Sequence, residues 1–145
     1  MGYSSLAECA RDLERHGHLV RVKEEVDPHL EMAAIHLRVH ERGGPALLFE
    51  NVKGSPFPAV SNLFGTMERG RFLFRDTLER VRMLVALKYD PMAALRSPRM
   101  AVAGVLGGIT ALPMRRRSGA PILHGRTTIS KLPQIVSWPM DGGPF

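Results

Sequence analysis

Three histidines, His29, His36 and His40, are the first residues of this 145-residue chain whose types and spacing could do chemistry. Their separations would set all three on one stripe of a helix, and two histidines four apart can share a zinc ion. The surrounding residues form no HExxH arrangement. Three ligands on one straight helix also cannot close a tetrahedron. Histidines at a helix rim are therefore expected, and no metal ligand is assigned.

Other candidates divide in the same way. Gly43-Gly44 precedes a strand-like run, whereas a phosphate-cradling loop runs from strand to helix, because the helix N-terminus supplies the donors. "NLFGTMERGR" does have that order: a strand, Gly65-Thr66, then a helix start with Arg69 and Arg71 nearby. It could hold an anion, and the plainer reading is a capped helix with a basic face. Gly104-x-x-x-Gly108 reads as close helix packing. Glu24-Glu25 lies among charged, solvated positions, and no serine, histidine and aspartate have triad spacing. No catalytic, cofactor-binding or metal residue is assigned to this chain.

The elements that would position these residues are legible from caps and periodicity. Ser5-x-x-Glu8 is a capping box, followed by Leu6, Cys9, Ala10 and Leu13 at helical spacing and by Gly17 as the stop. "LVRVKEEV" reads as a strand with Val20 and Val22 on one side and Arg21 and Lys23 on the other. Asp27-Pro28 is expected to cap a second helix, with Met32, Ile35 and Val39 on its inner face and Gly43-Gly44 at its end. "ALLFE" reads as a buried strand, Lys53-Gly54 as a turn and "AVSNLFG" as a third strand. Asp76-x-x-Glu79 is expected to cap a helix carrying Leu78, Val81, Leu84 and Val85, closed at Asp90-Pro91. Ser97-Pro98 starts another that runs to about Leu112, with Arg115, Arg116 and Arg117 after it. From Ala120 the chain changes to short extended pieces broken by proline and glycine. The order predicts a small α/β layer and then the opening of something richer in strands.

Composition narrows the class. Hydrophobic residues make up 44%, which fits a globular protein and argues against disorder. The single cysteine, Cys9, excludes an internal disulfide framework and a cysteine-built zinc site, and suits a reducing cytoplasm. Met1 is followed by no secretory leader pattern. The apolar run "MAVAGVLGGITALP" falls short of the roughly 20 residues of a membrane span. Net charge is +6, with −2 over residues 1–65 and the excess beyond. Sixteen of the 20 basic residues are arginine, suited to bidentate carboxylate or phosphate contacts. A solvated face or subunit interface is the plainer reading, and nucleic acid or an acidic membrane surface the alternative.

Four ordered stretches, "VDPHLEMAAI", "GGPALLFENVKG", "SNLFGTMER" and "LPQIVSWPMDGGPF", are more specific than any single motif. Together they resemble the N-terminal region of the UbiD-like decarboxylases, which include the 3-polyprenyl-4-hydroxybenzoate decarboxylases of ubiquinone synthesis. The resemblance is weakest over residues 67–118. It implies prenylated flavin mononucleotide as cofactor, with a divalent metal (typically manganese) and potassium at its phosphate. That flavin forms an adduct with the unsaturated carbon beside the carboxylate and acts as an electron sink while carbon dioxide leaves. In the family the metal ligands and the arginine and glutamate of the acid–base step follow the position of Phe145, so none carries over to a residue here. His36 and His40 depart from the family pattern, and a histidine site would be private to this chain. The arginine-rich segment between Arg69 and Arg117 departs as well, which leaves the substrate open among aromatic, heteroaromatic and acrylic acids.

The resulting expectation is an α/β fold: an N-terminal α/β domain over residues 1–113, a linker at 114–119, and at 120–145 the truncated start of a flavin-binding, split-barrel-like domain. The chain is read as the front of a longer cytoplasmic, homo-oligomeric decarboxylase and as inactive alone, with an aromatic or unsaturated acid as substrate and no nucleic acid or transmembrane segment. Two other readings stand beside it. One is a basic nucleic-acid-binding domain using Arg69, Arg71, Arg75, Arg80 and Arg115–Arg117. The other is a fragment that modulates assembly of an intact paralogue.

Overall fold

The computed structural model describes residues 2–90, 92, 97–112 and 125–143. The linker at 114–119, Arg115–Arg117, Pro91 and Phe145 lie outside the described residues. The fold is mixed α/β, and the chain forms two compact units. One comprises Tyr3–Leu73 with Arg126–Phe145, the other Phe74–Gly125 with Met1–Gly2.

In the first unit, α1 (Leu6–Arg15) begins where the capping box predicts. Ser5 Oγ accepts from the Glu8 N–H at 3.2 Å. Glu8 reaches back one residue further than expected, to the N–H of Ser4 at 2.8 Å and its hydroxyl at 2.6 Å. Gly17, at φ +74°, ends the helix: its N–H donates to the Glu14 carbonyl and that of His18 to the Leu13 carbonyl, the paired bonds of a Schellman turn. Strand β1 (Leu19–Val26) then pairs in parallel with β2 (Ala46–Val52), with α2 (Glu31–Glu41) as the connection between them. β3 (Ala59–Ser61) pairs antiparallel with β2, giving the order β1-β2-β3. The helix α3 (Met67–Leu73) follows.

Central strand β2 explains the continuous apolar run. Ala46 joins a cluster with Cys9, Ala10, Leu13 and Leu19, against which Leu48 packs. Leu47 and Phe49 join a second cluster with Val26, Met32 and Val52. Successive side chains thus enter different cores, as a strand covered on both faces requires.

Two expected details change. In β1, Leu19 and Val26 are buried while Val20 is exposed, and the register to β2 shifts between Val22 and Glu25. That irregularity interrupts the period of two beyond Val22. Val20 lies before it and stays exposed although Val22 packs on the second core cluster. The second helix also begins later than Asp27-Pro28. Asp27 instead holds a turn, its Oδ1 accepting from the His29 N–H at 2.8 Å and its Oδ2 from Lys53 Nζ at 2.8 Å. Leu30, at φ +68°, is the N-cap.

The segment after Arg126 returns to this turn. A 3₁₀ turn spans Ile129–Lys131. Val136 then forms a parallel bridge with His29: the Leu30 N–H donates to the Val136 carbonyl at 2.9 Å, and the Val136 N–H to the Pro28 carbonyl at 3.1 Å. Ile135 packs on the second core cluster, and Trp138 is 58% exposed.

The second unit is built on α4 (Arg75–Tyr89) and α5 (Pro98–Ala111). Phe74 rather than Asp76 occupies the N-cap of α4, and Asp76 sits in its first turn, where a carboxylate still favours the helix dipole. The close helix contact is made by Gly104 and Gly107, not Gly104 and Gly108. A Cβ at Gly104 would lie 3.2 Å from Leu87 Cδ2, and one at Gly107 2.9 Å from Leu84 Cδ2. One at Gly108 would meet nothing within 4 Å. Among the described residues no helix is long and apolar enough to cross a membrane.

Candidate functional site

A cleft of about 610 Å³ opens in the first unit between α2, β3 and the segment around Ile135. Met32, Leu37, Val60 and Trp138 give it apolar walls, and His36, Ser61 and Ser137 supply polar groups. Ser61 lines it at the end of β3, and the next residue, Asn62, belongs to a buried hydrogen-bonded knot with Arg69.

Asn62 ends β3 at φ +59°, a conformation that asparagine tolerates better than most residues, and is buried. Its amide nitrogen donates to the carbonyls of Gly44 at 3.2 Å and Pro45 at 2.9 Å. Its Oδ1 faces His40 Nδ1 at 3.3 Å. One residue earlier, Ser61 Oγ shares a 2.5 Å hydrogen bond with His36 Nδ1. The two imidazoles lie parallel within 7°, their centroids 5.8 Å apart. The helical spacing of His36 and His40 therefore holds. His29 does not join them, because it lies in the turn before α2.

Arg69 is only 2% exposed. Its Nε donates to the Leu63 carbonyl at 3.1 Å, Nη1 to that of Gly44 at 3.0 Å and Nη2 to that of Asn62 at 2.7 Å. Burial pushes its pKa down, yet a guanidinium stays charged, and the three carbonyl dipoles supply the compensating negative ends. Thr66 Oγ1 accepts from the Arg69 N–H at 3.2 Å. Gly65 leaves room for the knot: a Cβ there would sit 1.8 Å from Asn62 Oδ1. "SNLFGTMER" is thus a loop tied from inside. Its arginine is spent on the backbone and reaches neither an anion nor a nucleic acid. Arg71 remains exposed.

Sequence reasoning missed this knot. The spacing Asn62, Gly65, Arg69 was a usable signal, a residue without a side chain between two long polar ones. Some of the exposed charges elsewhere form surface pairs. Arg21 bridges Glu14 and Glu50, and its hydrogen bonds hold Glu14 below the usual carboxylate range. Glu24 and Glu25 are exposed, as expected.

The family description "3-octaprenyl-4-hydroxybenzoate carboxy-lyase N-terminal domain" matches residues 10–88, more than half of the chain. The chain belongs to this UbiD family. Its matched stretch takes in the later part of α1, the sheet, the tied loop and nearly all of α4. An uncharacterized protein of Chlamydia trachomatis serovar D is 42% identical over 147 residues, covering 97% of this chain and 25% of that protein. A vanillic acid decarboxylase of Sedimentibacter hydroxybenzoicus in open form is 35% identical at a TM-score of 0.47, covering 50% of this chain and 16% of the other. An evolved dimeric form of the UbiD-class enzyme HmfF from Pelotomaculum thermopropionicum, in complex with prFMN, is 43% identical at a TM-score of 0.42, covering 48% and 16%. The chain spans about a quarter of the length of the curated relatives it matches.

The described residues of this UbiD-family chain do not fit a flavin phosphate with its metal. Among them no three His, Cys, Asp or Glu side chains are grouped to hold a metal ion. The buried arginine in the strand-to-helix loop already donates to three carbonyls.

Proposed function

We propose that this chain is the N-terminal portion of a prenylated-FMN-dependent, non-oxidative decarboxylase acting on an aromatic or α,β-unsaturated carboxylic acid. The family match over residues 10–88 carries the reading. Within it, the chain's own part is architectural. The tied loop and the βαβ layer form a folded platform, and catalysis belongs to residues that the longer relatives add. The cofactor, its manganese and potassium, the homo-oligomer and the cytoplasmic site are part of the same proposal. So is a role in ubiquinone-type synthesis, which the substrate in the family description suggests. Residues 120–145 are proposed as the start of the flavin-binding, split-barrel-like domain, after a first domain over 1–113 and a linker at 114–119.

The test supplies the isolated chain with prenylated FMN, manganese, potassium and a panel of aromatic and cinnamic acids. No carbon dioxide above a heat-treated control is expected. The same chain joined to the downstream portion of the Chlamydia trachomatis relative should bind the flavin and release carbon dioxide from at least one acid. Turnover by the isolated chain, or a joined protein that folds but binds no flavin, would overturn the proposal.

A further inference from the structure

We propose that His36 and His40 form a two-histidine site for a divalent metal ion of the zinc, nickel or copper class, carried on α2 and oriented by Ser61 and Asn62. The inference is independent of the carboxy-lyase reading and concerns residues that reading leaves unused.

The helix supplies the pair. Positions four apart lie one above the other on a helix face, and the two rings are parallel and adjacent. The strand end supplies the orientation. Because the Asn62 amide nitrogen donates to the carbonyls of Gly44 and Pro45, the atom it turns toward His40 Nδ1 is an oxygen, an acceptor. The His40 proton therefore sits on Nδ1, and the Nε2 lone pair is left to bind. Ser61 Oγ engages His36 Nδ1 in the same manner, and a hydroxyl can accept that proton. Metal-binding histidines are commonly held this way, one ring nitrogen donating to an oxygen and the other facing the ion.

The surroundings supply access. His36 lines the open cleft with Ser61 and Ser137, so water can fill the coordination positions that two histidines leave empty. Zinc binds imidazole nitrogen at about 2.0–2.1 Å. The observed 5.8 Å separation of the ring centroids is within reach of one shared ion, but lone pairs lying in two parallel ring planes do not converge on it. The rings must tilt toward each other, pivoting on their anchored Nδ1 atoms. His29 adds no third ligand from α2, since it lies outside the helix. The site is therefore an open, exchangeable one.

The experiment titrates the full 145-residue chain with zinc, nickel or copper chloride at neutral pH by calorimetry. Trp138, the only tryptophan and a wall of the same cleft, is followed in parallel, since copper and nickel quench a nearby indole. One saturable equivalent is expected. His36→Ala and His40→Ala should each weaken it about tenfold or more, and Ser61→Ala should do so through the lost anchor, within roughly 10–100-fold. His16→Ala and His29→Ala should leave it unchanged. Thermal unfolding checks that each variant folds, and in the native chain long-range nitrogen NMR should show the His40 proton on Nδ1. The proposal fails if no saturable binding occurs or if binding survives both His36→Ala and His40→Ala. It also fails if His29→Ala costs as much as either of them.

Discussion

Arg69 Nη2 donates to the Asn62 carbonyl at 2.7 Å while the Asn62 side chain faces His40, so two residues seven positions apart share one buried junction. The junction fastens the end of β3 and the start of α3 to the Gly44-Pro45 approach to β2. Its energetics follow from what each atom would lose.

Arg69→Lys removes the planar fork that reaches three carbonyls, because an ammonium is a single point of donation. Bonds to charged groups are worth more than neutral ones, and buried acceptors left unmet are costly. A loss of about 2–3 kcal/mol is expected. Urea unfolding of the variant and the native chain measures it. An unchanged midpoint would show that the knot contributes nothing.

Gly65→Ala places a methyl group 1.8 Å from Asn62 Oδ1, so the loop or the asparagine must shift. Overpacking of this kind costs about 1–3 kcal/mol. Chemical-shift changes should spread to Asn62, Arg69 and His40. Perturbation confined to residue 65 would contradict the geometry.

The glycines of α5 should separate cleanly. Gly108→Ala enters open space in a helix and should stabilise by up to about 1 kcal/mol. Gly107→Ala meets Leu84 at 2.9 Å and should lose part or all of that gain. Paired melting curves compare them. Equal effects would mean that the contact with α4 is not made there.

Acid should weaken the turn before α2. The Lys53 ammonium, then the His29 N–H, hold Asp27 below its ordinary pKa of about 3.9. A carboxylate with a lowered folded pKa contributes stability that is present above its unfolded value and lost as pH falls through the folded one. Lys53 is raised by the same contact, so its share is present below the ordinary lysine value and lost as pH rises through the raised one. Asp27→Asn can retain the bond to His29 but not the charge. It should flatten the fall in melting temperature below about pH 4. A variant with the native acid profile would remove Asp27 from the account.

What the sequence made legible was what neighbours in sequence decide. Ser5, Glu8 and Gly17 bracket α1 through bonds spanning five residues or fewer, and "ALLFE" carries its own burial signal. The start of α2 was misplaced because a distant partner sets it. Lys53 and Val136 both attach to the turn at Asp27–Leu30, and no local preference encodes either. Arg69 resembled a surface cation for the same reason. Its partner Gly44 lies 25 residues upstream. Of the cleft, only the spacing of His36 and His40 was visible. Ser61 and Asn62, which orient them, come from another element.

The bridge between His29 and Val136 also sets an order of events during synthesis. The first unit is discontinuous in sequence, since the chain leaves it at Leu73 and re-enters at Arg126. A ribosome must therefore extrude the whole α4–α5 insert before this part of the unit can close. Closing a flexible loop of about a hundred residues costs roughly 4 kcal/mol in chain entropy, less if the insert is already helical and compact. Early folding of the insert would thus speed completion of a unit to which its described residues contribute no strand. A nascent chain stalled before residue 136 has emerged would hold α1 and the three strands with the Pro28 carbonyl and the Leu30 N–H still waiting for their partner.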